Sequence, residues 1–245
     1  MGRLISTVTS GLLLIAATIG SIAAAPASAS TAAADLPMQP GQVITVSVPT
    51  AASTTGVLEA WERRDGEFTR VRGPIRVYVG EDGVGLASER RARTPRGVFS
   101  LTEAFGRARD PGIALPYTRV GLSHWWVSDV RSKAYNQMRI CRPGASCGFR
   151  QSRSEQLGDI QAYKYALVID YNRDPVIPGR GSAFFLHVTE GKPTQGCVSM
   201  PARELIWLLR WLDPVAEPVI SINIGDAALP DRGSVADPPG YSALD

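Results

Sequence analysis

Lysine and histidine are both scarce in this chain. Lys133, Lys164 and Lys192 are the only lysines among 26 basic residues, and His124 and His187 are the only histidines. Charge of one sign is lacking too: 23 acidic residues leave a formal net charge of +3, so the basicity is mostly scattered arginine. That balance argues against a nucleic-acid partner, which requires a concentrated excess of positive charge. Cysteine is limited to Cys141, Cys147 and Cys197. With two histidines and a Cys-x5-Cys spacing unlike a zinc knuckle, the chain gives no reason to expect a metal or other cofactor. No apolar run reaches the ~20 residues that cross a bilayer, and no internal repeat is present. What remains is 245 residues, 44% hydrophobic and 20% charged, which excludes collagen-like, fibrous and wholly disordered classes.

The amino terminus has the form of a secretory signal peptide. Arg3 precedes the apolar stretch from Gly11 to Ala25, and Ala27-Ser28-Ala29 supplies a small-x-small cleavage site ahead of Ser30. Residues 1–29 are therefore expected to be removed, leaving a secreted or cell-envelope protein with no stable membrane span. An uncleaved anchor is the competing reading, and the shortness of the apolar run weighs against it. Export implies an oxidising compartment, where Cys141 and Cys147, in the turn-forming stretch CRPGASC, would close a small disulfide loop. Cys197 is then left over.

Residues 30–40 are rich in Ala, Ser, Thr and Pro and read as a flexible linker. Short β-type segments follow, punctuated by Gly and Pro: 42–48, 56–61, 75–79, 166–171, 183–188 and 219–224. The segments at 166–171 and 183–188 are apolar enough to be buried on both faces. One segment is helical: Pro201 to Leu212 sets Leu205, Leu208, Leu209 and Leu212 on one face, with Pro in the first turn and Asp213-Pro214 as the stop. Residues 226–245 carry no sustained pattern and read as a frayed tail. The expectation is a mostly β domain over 41–225 with a helix near its end.

Cys197 and His187 carry the chemistry. A strand bearing the histidine and a Gly/Pro return loop (EGKPTQGC) bearing the cysteine could bring both to one mouth, as nucleophilic cysteine catalysis requires. A free thiol is mostly protonated at neutral pH, so it needs a proton acceptor such as His187. The helix beginning near Pro201 could further favour a thiolate. Gly196 removes a side chain beside the nucleophile and leaves the N–H groups of Gly196 and Cys197 as candidate oxyanion donors. Against this, an isolated cysteine is more often a small buried hydrophobe, and an isolated strand histidine more often structural. His124, in Ser-His-Trp-Trp, is expected to pack among aromatics. Arg90, Arg91, Arg93 and Arg96 read as a solvated edge, with carboxylate binding as the sharper alternative.

Several ordered motifs resemble the L,D-transpeptidase (YkuD-like) catalytic domain family. His187 followed by Pro193-Thr194-Gln195-Gly196-Cys197-Val198-Ser199 resembles its His, variable loop and Ser/Thr-x-Gly-Cys signature. Upstream, Thr94-Pro95-Arg96-Gly97-Val98-Phe99, the Val79-Gly80 and Gly83 turn, Tyr135-Asn136, Tyr171-Asn172 and the run from Gly181 to His187 fit in order, over roughly 75–224. The resemblance implies a mixed β-sheet sandwich or barrel-like domain with a short helix after the cysteine, acting on peptidoglycan stem peptides. By position it implies Cys197 as nucleophile, His187 as base and acid, Gly196 and Cys197 as oxyanion donors, and Thr194, Gln195 and Ser199 as substrate-binding residues. The group orienting His187 would be a carbonyl near Val188 or Thr189.

Three departures bear on the acyl acceptor. Gln195 stands where many members have His, Ser199 where many have Arg or Asn, and the interval from His187 to Cys197 is short. Transfer to an amine, hydrolysis as an L,D-carboxypeptidase, and silent peptidoglycan binding all remain open at this stage.

Overall fold

The computed structural model describes residues 1–2, 39–227 and 229. The expected signal peptide, and most of the expected linker and tail, lie outside the described residues. In chain order the strands are β1 Gln42–Val48, β2 Thr55–Arg64, β3 Glu67–Tyr78, β4 Val84–Gly85, β5 Thr94–Pro95, β6 Gly97–Ser100, β7 Ala104–Gly106, β8 Tyr117–Arg119, β9 His124–Trp126, β10 Met138–Ile140, β11 Glu155–Gln156, β12 Ala166–Val168, β13 Phe185–Val188 and β14 Val198–Met200. Helix α1, Ala202–Trp211, and strand β15, Val219–Ile224, complete the fold. Among the described residues the fold is mostly β with one α-helix, as expected.

A ten-stranded sheet runs in the order β6-β15-β1-β2-β3-β14-β13-β12-β7-β8. Strand β1 pairs in parallel with β15 and antiparallel with β2, and its β-branched residues are buried. Strands β2 and β3 form a hairpin turned at Asp65 (φ 51°) and Gly66 (φ 87°), the pair of positive φ angles that a tight two-residue turn needs. A smaller sheet, β10-β9-β11, presents Glu155 opposite Trp126.

The apolar stripe of α1 (Leu205, Leu208, Leu209) joins the main core of the large sheet, with β13 among its neighbours. Arg72 grips the helix from β3 by donating to both carboxylate oxygens of Glu204, at 2.9 and 3.2 Å. A second cluster is aromatic and includes Phe105, Trp126, Tyr163 and Phe185, with Cys197 at its edge. Phe185 is central, with Phe105 and Trp126 edge-on to it at 4.9 and 4.8 Å between ring centres. Cys141 and Cys147 are disulfide-bonded, with Cα atoms 6.1 Å apart.

Candidate active site

Two neighbouring parallel strands place the functional side chains. Side chains alternate along β13, so Phe185 joins the aromatic cluster while Leu186 and Val188 join the main core. His187 therefore shares the face of Phe185. On β14, Val198 and Met200 enter the main core, which leaves Cys197 and Ser199 on the other face. The register pairs Leu186 with Val198 and His187 with Ser199, so all three polar groups meet on one side of the sheet.

The return loop before Cys197 is tied down by its own sequence. Thr194 N–H donates to Val79 O, and Glu81 N–H donates to Thr194 O, each at 2.9 Å. Thr194 Oγ1 donates to Cys197 O at 2.6 Å and accepts from Gly196 N–H at 3.1 Å. Thr94 Oγ1 accepts from Gly80 N–H at 2.8 Å and donates to the same Cys197 carbonyl at 3.3 Å. Gly80 is required because a Cβ there would lie 2.2 Å from Ala92 O. Gly196 is required twice over: its φ is +133°, and a Cβ would meet the Phe184 ring at 2.8 Å. The Thr-Pro and Val-Gly motifs thus anchor the backbone of the cysteine from behind. The Gly196 N–H, expected from the sequence to be an oxyanion donor, is already engaged by Thr194. The Cys197 N–H has no acceptor among the described residues.

The sulfur accepts from Phe185 N–H at 3.4 Å and donates to Ala183 O at 3.3 Å. Burial pushes the thiol well above its ordinary range, and the Glu155 charge adds to this; Phe185 N–H and the Tyr163 hydroxyl pull the other way. The thiolate that the helix terminus was expected to favour is not the resting state. Strand β14 intervenes between Cys197 and α1, and the sulfur is buried. His187 Nδ1 lies 2.9 Å from Val188 O, which selects Val188 as the group orienting the ring. Burial holds this imidazole below its ordinary value, more than the Val188 bond and the Glu190 charge raise it. The thiol and the imidazole both rest neutral and border the same cavity, with no hydrogen bond between them in the resting structure.

Cys197, His187, Ser199 and Tyr163 line one cavity of about 310 Å³. A second cavity of about 370 Å³, bordered by Arg90, Arg91, Arg153 and Glu89, shares Glu155, Ser182 and Gln195 with the first. Of the residues expected to bind substrate, Gln195 is exposed at both cavities. Ser199 is 1% exposed, and its hydroxyl has no hydrogen-bond partner among the described residues. Thr194 borders the cavity, but its hydroxyl is committed to the loop. The arginine patch divides: Arg90 and Arg91 face the second cavity, whereas Arg93 donates to Asp82 O. His124 Nδ1 accepts from Gly121 N–H at 3.1 Å and lines neither cavity.

Two site residues were missed by sequence reasoning. Tyr163 O–H donates to Glu155 Oε2, and its ring stands edge-on to His187 at 5.5 Å between centres. Neither residue falls in a periodic segment or a motif, so no local signal could have marked them.

A large, mostly β sheet presenting a cysteine and a histidine from adjacent parallel segments to one cavity defines the class of protein. The chain belongs to the L,D-transpeptidase catalytic domain family (YkuD), whose model matches residues 42–220. The match begins upstream of the motif-bearing region and takes in β1 and β2. No curated protein and no solved structure matches the chain significantly. Among the described residues no helix is long and apolar enough to cross a membrane.

Proposed function

We propose that this protein is an exported cysteine acyltransferase that acts on peptidoglycan tetrapeptide stems in the cell envelope. The observation that carries the reading is the shared cavity of Cys197 and His187, with the imidazole oriented by Val188 O. That orientation puts a proton on Nδ1 and leaves Nε2 as the basic nitrogen.

The stem carbonyl between the third residue and the terminal D-alanine enters beside Cys197. His187 Nε2 takes the thiol proton as the C–S bond forms, because a neutral thiol cannot attack effectively. The Cys197 N–H faces no competing acceptor and is the backbone donor assigned to the oxyanion; the Gly196 N–H is assigned to loop structure. Collapse of the intermediate expels D-alanine, whose amine takes the proton from His187, and leaves a thioester on Cys197. Residues 1–29 would direct export.

Intact-protein mass spectrometry tests the proposal. The protein is mixed with a disaccharide-tetrapeptide and separately with a carbapenem, beside Cys197→Ala. A covalent adduct on the wild type alone is the expected result. An adduct that persists on Cys197→Ala, or none on folded wild type with a free Cys197 thiol, overturns it and favours a silent wall-binding module.

A further inference from the structure

Glu155 is the one carboxylate that lines both cavities. It stands on the short strand β11, and its Oε2 accepts from Tyr163 O–H. Its Oε1 has no hydrogen-bond partner, and no cation lies within ion-pair distance of either oxygen among the described residues. A half-buried carboxylate without a counter-cation within ion-pair distance is costly to ionise. Its pKa is accordingly raised to about 7, mainly by burial and further by the Glu89 charge, while the Tyr163 bond opposes the rise.

In the first half of the proposed reaction this residue is a disadvantage, because its charge makes the Cys197 thiol harder to ionise. Once the sulfur is acylated that penalty disappears, since a thioester carries no charge. The group is then an unfilled cation acceptor beside the reacting carbon. The buried Ser199 hydroxyl in the same cavity is a second acceptor without a partner. An ammonium, with three N–H donors and a positive charge, matches the carboxylate.

We propose that Glu155 binds the ammonium of the acyl acceptor and removes a proton from it, so that an amine rather than water resolves the acyl-enzyme. This rests on the Cys197 acyl-enzyme proposed above. The ammonium gives one proton to Glu155. The freed amine attacks the thioester carbonyl, the C–N bond forms and the C–S bond breaks. A second proton passes from the attacking nitrogen through His187 to the departing sulfur, restoring the thiol. The third stays on the new amide, and Glu155 returns its proton to solvent.

The test is the ratio of cross-linked dimer to tripeptide formed from a disaccharide-tetrapeptide whose stem carries a side-chain amine. Glu155→Gln is expected to lower that ratio at least tenfold at pH 8. The wild type gives an independent reading through its pH profile. With Glu155 as the base, the ratio rises through about pH 7 and levels off above about 8, although the acceptor, of pKa roughly 10, is still protonated there. The charged and titratable groups around this carboxyl are Tyr163, Glu89 and Cys197, with Arg90, Arg91 and Arg153 around the second cavity and His187, Glu81, Glu190 and Lys192 around the first, where Lys192 is paired with Glu190 at 3.4 Å.

An unchanged ratio in Glu155→Gln, or a wild-type ratio climbing tenfold per pH unit up to the acceptor's own pKa, overturns the proposal. Should the variant fail to fold or to acylate, the wild-type profile alone decides. A wild type that forms the adduct but yields only tripeptide overturns the role of Glu155 and leaves the acyl-enzyme standing. Absence of any adduct overturns both.

Discussion

The Nδ1 atom of His187 lies 2.9 Å from the carbonyl oxygen of Val188, its own neighbour in the chain. A backbone carbonyl only accepts, so this contact makes Nδ1 the protonated nitrogen and frees Nε2 to take a proton. No second side chain is needed to orient the ring.

Replacing His187 by Gln removes the proton acceptor while retaining a polar side chain. Acylation of Cys197 is expected to slow by roughly 10²–10⁴-fold, the usual worth of a positioned general base. Because burial holds the imidazole below its ordinary value, wild-type acylation should persist at pH 6.5 and decline only in more acid solution. Adduct formation rates measured by mass spectrometry from pH 5 to 8 check both statements; a wild-type midpoint above 6.5 would contradict the second.

Glu155 should also leave a mark on stability. Its folded pKa of about 7 exceeds the unfolded value near 4.5, so between these values the folded state binds more protons than the unfolded. Stability therefore falls as pH rises through this window, and the full penalty, on the order of 3 kcal/mol, applies above it. Glu155→Gln, which is never charged, should raise the melting temperature at pH 8 and change it much less at pH 4.5. An equal shift at both values would show that the carboxyl is not held near 7.

Thr194 anchors the loop through one hydroxyl, donating to Cys197 O and accepting from Gly196 N–H. Thr194→Val keeps the shape, leaves the Gly196 N–H without its acceptor and the Cys197 carbonyl with Thr94 Oγ1 alone, at a cost of about 2 kcal/mol. The loss of acylation should exceed what the change in melting temperature accounts for, because the same bonds hold the backbone of the nucleophile. Comparing denaturation curves with adduct rates measured well below the melting point separates the two effects.

Reduction of the Cys141–Cys147 bond, which closes a sequence separation of 6, should destabilise the protein by about 2 kcal/mol. The third thiol is free and buried, so acylation of Cys197 should survive reductant at temperatures where the fold persists. Melting temperatures with and without dithiothreitol, alongside a Cys141→Ala/Cys147→Ala variant, test this. Equal values in all three would mean the staple contributes nothing.

The strands at 42–48 and 219–224 and the helix after the cysteine were legible because each is a continuous apolar or amphipathic run. Two other strands came out shorter than their composition suggested. Ala183 takes φ 60°, which cannot continue a strand, and Tyr171 turns back so that its N–H donates to Ile169 O. Strands β4 to β11 have four residues or fewer, too short to display a period, and exist because the sheet supplies their partners.

The identities of the nucleophile and base candidates, the β class and the family-bearing motifs follow from the sequence itself, because each is written in contiguous residues or regular spacing. Tertiary structure alone decided which carbonyl orients His187, that Thr194 engages the Gly196 N–H, and that Cys197 rests as a buried thiol. It also brought Glu155 and Tyr163, from separate short elements, to the cavity wall. These are matters of burial and of side chains meeting across a sheet. Such contacts are set by register and packing between distant segments, for which a local stretch of sequence carries no signal.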